Sequence, residues 1–432
     1  MSWLLRHRIR LYFRNSMWIF PGLGVVLGWV VVPLLVIFER SMGWEMQIGK
    51  DITLAVMGTI AATTFNLVVV VSSAVLLAVQ LASAQLTPRI IVLIYRDIPR
   101  KISLAIFAFT FTFSVSFLVR IGDSVPLVSA YLAAFAFLLN LVLFIYFIDN
   151  LGKSLRPVAA LGAVAIAGRE VVHDVYPRRL EQTRPDSRRP IAFIGQETQR
   201  TVVTHTDGSV LAFDAPGLVS LAQQSDCLIE LVPKVGDFVA EGDPLFHVFG
   251  NGSGPSDQSL RNSIALGPER TMEQDPIFAF RIIVDVASKA LSPAINDPTT
   301  AVLAIDRLHH LLREVGSRDL SEDRESDGQG QVRVVYRTPD WEDFVLLATT
   351  EIRQYGRDSI QVIRRLRAML ENLSETLAEQ RVPVLLRELK LLDAVAMRSF
   401  LDAEDQILAE GSDRQGMGGS DHDDGSPLAA WQ

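Results

Sequence analysis

Cysteine occurs once in 432 residues, at Cys227. That excludes an intrachain disulfide and a metal site built on a cysteine cluster, and it is compatible with a reducing compartment. Basic charge is in deficit, with 41 Lys/Arg against 49 Asp/Glu and a formal net charge of −8. No basic stripe of the kind that neutralises phosphates is present, so no nucleic-acid partner is expected. Charge is missing from the interior of four long apolar segments, which counts against proton-coupled transport, because such proteins use ionisable relays at membrane depth. No catalytic constellation stands out. The chain is therefore not read as an enzyme, and neither a cofactor nor a metal is assigned.

Apolar residues make up 49% of the chain but are unevenly spread. Residues 1–152 carry a net charge of +5 and the remainder −13. The chain thus divides into an apolar, mildly basic half and an acidic soluble half. Four segments have the length and composition of transmembrane helices: Met17 to Phe38, Ile52 to Leu86, Ile102 to Val119 and Pro126 to Ile148. The first follows Arg6, Arg8, Arg10 and Arg14, as a signal peptide would. It is too long for an h-region and no small-residue cleavage site follows, so it is read as a span.

Lys and Arg are retained on the cytoplasmic side. They cluster in the N-terminal arm (1–16) and in the loop after the second segment, at Arg89, Arg96, Arg100 and Lys101. The other two loops are short and nearly balanced. Both termini and the acidic half are therefore expected in the cytoplasm, with the four-helix domain (17–152) in the membrane.

The second segment continues for roughly 50 Å as a helix, longer than the membrane is thick. Along it Thr59, Thr63, Asn66, Ser73, Gln80 and Thr87 recur at spacings of four, three, seven, seven and seven. A seven-residue period keeps one face towards a partner helix. Two readings stay open. The polar groups hydrogen-bond between the four helices of one subunit, or they line a hydrated path, on the axis of a homo-oligomer, through which ions pass.

Residues 153–190 read as a continuation of the fourth helix to about Val175, with an Ala/Gly-rich stretch (Ala159 to Ala167) suited to packing on the end of the second span. An Arg-rich linker with Arg178, Arg179, Arg184, Arg188 and Arg189 follows. Residues 191–250 alternate as short strands around a helix near Pro216 to Ser225. Within them Val235 to Leu245 (VGDFVAEGDPL) resembles the hairpin of biotinyl- and lipoyl-type barrels in shape, without their cofactor-bearing lysine at the tip, and a small barrel-like module is expected. Gly250 to Pro255 lacks the Lys-Ser/Thr of a phosphate loop and reads as a connector.

Residues 260–410 read as mostly helical, giving an α-helical membrane protein with a cytoplasmic α+β region. Asp275-Pro276 and, 22 residues later, Asp297-Pro298 have the form of an N-cap followed by proline at the first helical position. They predict helices over Ile277 to Leu291 and Thr299 to Val315. Between them Ser292-Pro293 stops the first helix, and Asn296 is available for a tight turn. A strand at Val332 to Tyr336 and helices over Trp341 to Gln354, Asp358 to Glu379 and Val382 to Glu410 complete the region. His309-His310 reads as surface, and residues 411–432 as a disordered tail in which His422 to Asp424 is solvated.

Several of these strings occur together: Glu269-Arg270, Gln274-Asp275, Ala290 to Ala301 (ALSPAINDPTTA), and Gln85 to Arg89 (QLTPR) at the exit of the second span. With four spans ahead of the soluble half, the chain resembles the bacterial membrane proteins of the domain-of-unknown-function 2254 family over nearly its whole length. The resemblance implies a bacterial cytoplasmic membrane protein and carries no activity, substrate or catalytic residue.

The leading expectation is a homo-oligomeric channel-like protein whose second spans line a polar path and whose cytoplasmic part assembles or gates it. The alternative is a membrane-anchored sensor or scaffold that binds a protein or small ligand through its cytoplasmic domain. A third reading gathers Glu269, Arg270, Asp275, Asn296 and Asp297 into a polar cleft. Together with Ser292 these five residues are also candidates for a cytoplasmic motif or interface around the break between the two helices.

Overall fold

The computed structural model describes residues 2–46, 49–91, 97–122, 125–180, 199–250, 254–321 and 323–418. Chain contacts group into two compact units, Arg10–Ala160 and Leu161–Gln432, the latter together with Met1–Ile9.

After α1 (Trp3–Asn15), the first unit holds four helices long and apolar enough to cross a membrane: α2 (Ile19–Met42), α3 (Lys50–Gln85), α4 (Ile98–Arg120) and α5 (Leu127–Ser154). Long runs of Val, Leu, Ile, Phe and Ala without charge leave the helix as the way for one segment to satisfy all its backbone groups in lipid. A two-residue strand pair, β1 (Glu45–Met46) with β2 (Val125–Pro126), joins the α2–α3 and α4–α5 connections. α2 and α4 approach closely because α2 carries Gly24 and Gly28. A Cβ at Gly28 would lie 2.8 Å from the Phe109 carbonyl, and one at Gly24 would collide with the Ala105 carbonyl. Gly-x-x-x-Gly spacing permits such contact between membrane helices. Two apolar clusters hold the bundle. One gathers Val32, Met57, Ile60, Phe113 and Ala133, and the other Val71, Ala78, Phe107 and Phe147.

The helices extend beyond the expected apolar segments and take in charges at their ends. Glu39, near the end of α2, is completely buried. Its carboxyl oxygens accept hydrogen bonds from the Val128 and Ser129 amides at 2.8 and 3.0 Å and from the Ser129 hydroxyl, so they cap the first turn of α5. Arg100 and Lys101, expected in a loop, lie in the first turn of α4 and are buried. Lys101 donates to the Arg14 carbonyl at 2.6 Å, at the end of α1. Arg96 falls outside the described residues.

The fourth span does not continue unbroken to Val175. A new helix, α6 (Pro157–Val175), begins at Pro157, a residue that has no amide proton to offer a preceding turn. The Ala/Gly-rich stretch packs within the second unit: Leu161 and Val164 are fully buried, and a Cβ at Gly168 would meet Ala279 at 2.5 Å. Arg184, Arg188 and Arg189 lie outside the described residues.

The expected barrel is corrected by the strand pairing. β3 (Arg200–Val203), β4 (Gly208–Phe213), α7 (Ala215–Gln224), β5 (Leu228–Leu231), β6 (Phe238–Val239) and β7 (Pro244–Phe249) follow one another. After α8 (Asp257–Arg261) and β8 (Ile264–Gly267) come α9 (Pro276–Ala290), α10 (Pro298–Gly316), β9 (Arg324–Ser326) and β10 (Val332–Val335). The strands form two open sheets, ordered β3-β7-β5-β10-β9 and β6-β4-β8. β10 pairs parallel with β5, Val334 opposite Ile229, and β8 pairs antiparallel with β4. Residues 191–250 are therefore not a self-contained module, because strands from beyond residue 260 complete both sheets. One apolar core, including Val210, Leu218, Ile229, Phe246, Ile264 and Val334, spans them.

The helices α11 (Trp341–Tyr355) and α12 (Ile360–Thr376) pack on α9 and α10, and α13 (Val382–Ser399) packs in turn on α11 and α12, with α14 (Ala403–Glu410) on α12 and α13. The single helix expected over Val382 to Glu410 is broken at Phe400–Asp402. The start of the expected tail is also ordered. Arg364 is buried and donates to the carbonyls of Gly411, Ser412 and Gly418, while the buried Asp413 side chain accepts from the Gly416 and Gly418 amides, both at 2.7 Å. Residues 419–432, with His422 to Asp424, lie outside the described residues.

Candidate functional site

The buried face of α3 is made by Met57, Thr64, Val71 and Ala78, seven residues apart. The polar row Thr59, Asn66, Ser73 and Gln80 sits two residues after each of these, which is about 200° round a helix. The row therefore points away from the subunit's own bundle, and all four side chains are exposed. Thr63 is half-buried at the edge of the row. Thr59 returns its proton to the Ala55 carbonyl at 2.8 Å, the usual arrangement for a hydroxyl on a helix. Among the described residues, Asn66, Ser73 and Gln80 have no hydrogen-bond partner for their side chains. Large apolar neighbours, including Phe65, Val69, Val70, Leu76 and Leu77, are exposed beside them.

Thr87 does not belong to the row. α3 ends at Gln85, and Thr87 is buried as the cap of a 3₁₀ turn, Pro88–Ile90, with its hydroxyl accepting from the Arg89 amide at 3.5 Å. The proline at 88 ends the α-helical geometry that would have carried the seven-residue period onward.

In the second unit both expected N-caps are formed. Asp275 accepts from the Phe278 amide at 3.2 Å and opens α9. Asp297 accepts from the Thr300 amide at 3.0 Å and its hydroxyl at 2.5 Å and opens α10. Asn296 takes a left-handed backbone conformation, φ 47°, as the tight turn requires. Ser292 closes α9 by donating to the Lys289 carbonyl at 2.7 Å. Pro293 to Asn296 are exposed.

The five-residue polar cleft does not assemble. Asp275 and the Asn296–Asp297 pair lie at opposite ends of the 15-residue α9, about 22 Å apart at 1.5 Å per residue. Glu269 is exposed and joins neither end. Arg270 instead clamps the α9 cap: its Nε lies 2.5 Å from Asp275, and a Cβ at Gly236 would collide with its guanidinium. Gln274 pairs with the Phe213 backbone, accepting at 2.9 Å and donating at 3.2 Å, and so ties the same corner to β4. Burial pushes the Asp275 carboxyl above the usual carboxylate range despite Arg270.

A family described as "Predicted membrane protein (DUF2254)" matches residues 14–372, from before the first span to within α12. The chain belongs to this family. Uncharacterized proteins of Mycobacterium bovis and Mycobacterium tuberculosis are 26% identical to it over 424 residues, covering 93% of this chain and 80% of theirs. No solved structure matches it.

In this DUF2254 chain the turn at Asn296 yields a direct prediction. Asn296→Val is expected to lower unfolding stability by about 1–2 kcal/mol, because a β-branched residue resists the left-handed region. Asn296→Gly is expected to change it little. Chemical unfolding of the full-length protein in detergent checks this. Equal losses in both variants would show that the amide side chain itself has a partner at the corner.

The spans hold polar groups that the seven-residue pattern did not single out. Thr110 and Ser114 on α4, Asn140 on α5 and Thr64 on α3 are fully buried inside the bundle. The alternation Thr110, Thr112, Ser114, Ser116 and the lone Asn140 were available in the sequence as signals, but a hydropathy average hides them. The second unit also has a cavity of 370 Å³ between its sheets and helices, lined by Phe213, Tyr336, Glu273, Glu325 and Arg337 among others. His309, expected at the surface, is half-buried. It lies 2.9 Å from Asn372 and 3.3 Å from Arg365, and burial lowers its pKa.

Proposed function

We propose that this is a homo-oligomeric, channel-like protein of the bacterial inner membrane, in which α3 helices of neighbouring subunits face one another across a polar path. The observation that carries this reading is the outward row Thr59, Asn66, Ser73 and Gln80, exposed on a helix otherwise apolar enough to cross a membrane. An amide turned to hydrocarbon costs several kcal/mol, so a second copy or water is the physically reasonable neighbour. The row carries hydroxyls and amides rather than ionised groups, which suits passive permeation of small ions. The distribution of Lys and Arg supports a cytoplasmic location for the acidic second unit and both termini, where that unit assembles or gates the path.

Ion flux into liposomes containing the purified full-length protein tests this reading, alongside crosslinking through α3. Wild type is expected to conduct and to crosslink between subunits, and Asn66→Leu with Gln80→Leu is expected to abolish the flux. A protein that is monomeric in bilayers and carries no current under voltage, tension or osmotic shock would overturn it.

The 370 Å³ cavity favours a second reading, a membrane-anchored sensor that binds a small ligand. A non-conducting protein whose thermal unfolding rises with one member of a metabolite panel would select it over the first.

A further inference from the structure

The two apolar clusters of the membrane unit leave a gap between them. On α3 the clusters contribute Ile60 and Val71, on α4 Phe113 and Phe107, on α5 Ala133 and Phe147. In each interval the helix places a fully buried polar residue: Thr64, Thr110 and Asn140, with Ser114 one turn along from Thr110. Phe65 and Phe111 meet at a tilt with centroids 5.6 Å apart, so Thr64 and Thr110, each one position before them on antiparallel helices, lie within about 3 Å of one level. Thr110 lies 3.4 Å from the Asn140 side chain. Three helices thus build one polar layer between two apolar ones.

The layer is not satisfied by protein. The Thr64 hydroxyl, the Ser114 hydroxyl and the Asn140 Nδ2 are buried without a hydrogen-bond partner. Elsewhere in these helices hydroxyls give their proton to the carbonyl four residues back, as Thr59, Ser103, Thr110 and Thr112 do at 2.8–2.9 Å. Thr64 and Ser114 depart from that habit. Thr110, whose single proton already serves the Ile106 carbonyl at 2.9 Å, has none left for Asn140.

We propose that each subunit binds water inside its own helix bundle, in the layer of Thr64, Thr110 and Asn140 and at Ser114 one turn along α4. Ordered water is the usual partner of buried polar groups that the protein leaves unsatisfied. Water both donates and accepts, as two hydroxyls and an amide require. An ion would meet no opposite charge among these residues, and an uncompensated charge at membrane depth is far costlier than a neutral molecule. This site lies inside one subunit, on the opposite face of α3 from the exposed row, and does not rest on the oligomeric reading.

Water-edited solid-state NMR on the isotope-labelled full-length protein in lipid bilayers tests the proposal. Magnetisation from water is expected to reach the Asn140 amide protons early, while Val71 and Phe107 in the flanking clusters receive none. No transfer to Asn140 in the wild type would overturn the proposal. So would transfer that disappears in Asn66→Leu with Gln80→Leu, because the water would then belong to a path between subunits.

Discussion

Replacing Glu39 with leucine is expected to destabilise the membrane unit by about 3–5 kcal/mol, since each buried donor left unsatisfied costs roughly 1–3 kcal/mol. Three donors lose their acceptor at once: the Val128 amide, the Ser129 amide and the Ser129 hydroxyl. Water cannot easily replace it, because Glu39 and Ser129 are both completely buried. The first amides of a helix carry its positive dipole end, so the carboxyl group also holds α5 against α2 electrostatically. Glu39→Gln keeps one acceptor oxygen and is expected to recover part of the loss. Unfolding in mixed micelles, followed by intrinsic tryptophan fluorescence, measures both variants. A leucine variant as stable as the wild type would show that α5 finds another cap.

The second large effect is expected at Asp275. Asp275→Ala removes the cap of α9 and strands the Arg270 guanidinium against Gly236, and a loss of about 3–4 kcal/mol is expected from a cap together with a broken, half-buried ion pair. Asp275→Asn keeps an acceptor for the Phe278 amide and is expected to lose less. The two also differ in pH dependence. Burial raises the Asp275 pKa in the folded protein, so the folded state holds its proton more tightly than the unfolded state does. The wild type should therefore gain stability relative to Asp275→Asn as pH falls from the raised value towards the ordinary carboxylate range, and lose that gain as pH rises again. Denaturant titrations of both proteins across that range check the sign.

Much of the architecture was legible in the sequence because it depends on local rules. Length and absence of charge place four spans, and Asp-Pro pairs place the starts of α9 and α10. Asn296 was legible for the same reason, since few residues tolerate its backbone conformation. What depends on distant pairing was not legible. Nothing near Val332 announces that its strand pairs with Leu228–Leu231, far back in the chain, and the resemblance of Val235 to Leu245 to a barrel hairpin concerned one turn rather than closure. Thr59, Asn66, Ser73 and Gln80 share one face of α3 whereas Thr87 lies beyond its end, and periodicity does not say which way a face points. Its outward direction follows only from the inward row two residues behind it. Glu39 was read into the loop after the first span, and Asn140 was lost to averaging as a single amide among aliphatic residues.

The parallel pairing of β10 with β5 also governs how the chain is made. As synthesis proceeds, β5 emerges with only β7 beside it, and its other edge stays open until Val332–Val335 have left the ribosome. Through that interval the apolar strand Leu228–Leu231 offers unpaired backbone groups to any neighbouring nascent chain. Nascent chains that stop between α8 and β9 should accordingly be held by chaperones or degraded, and those that pass Val335 released.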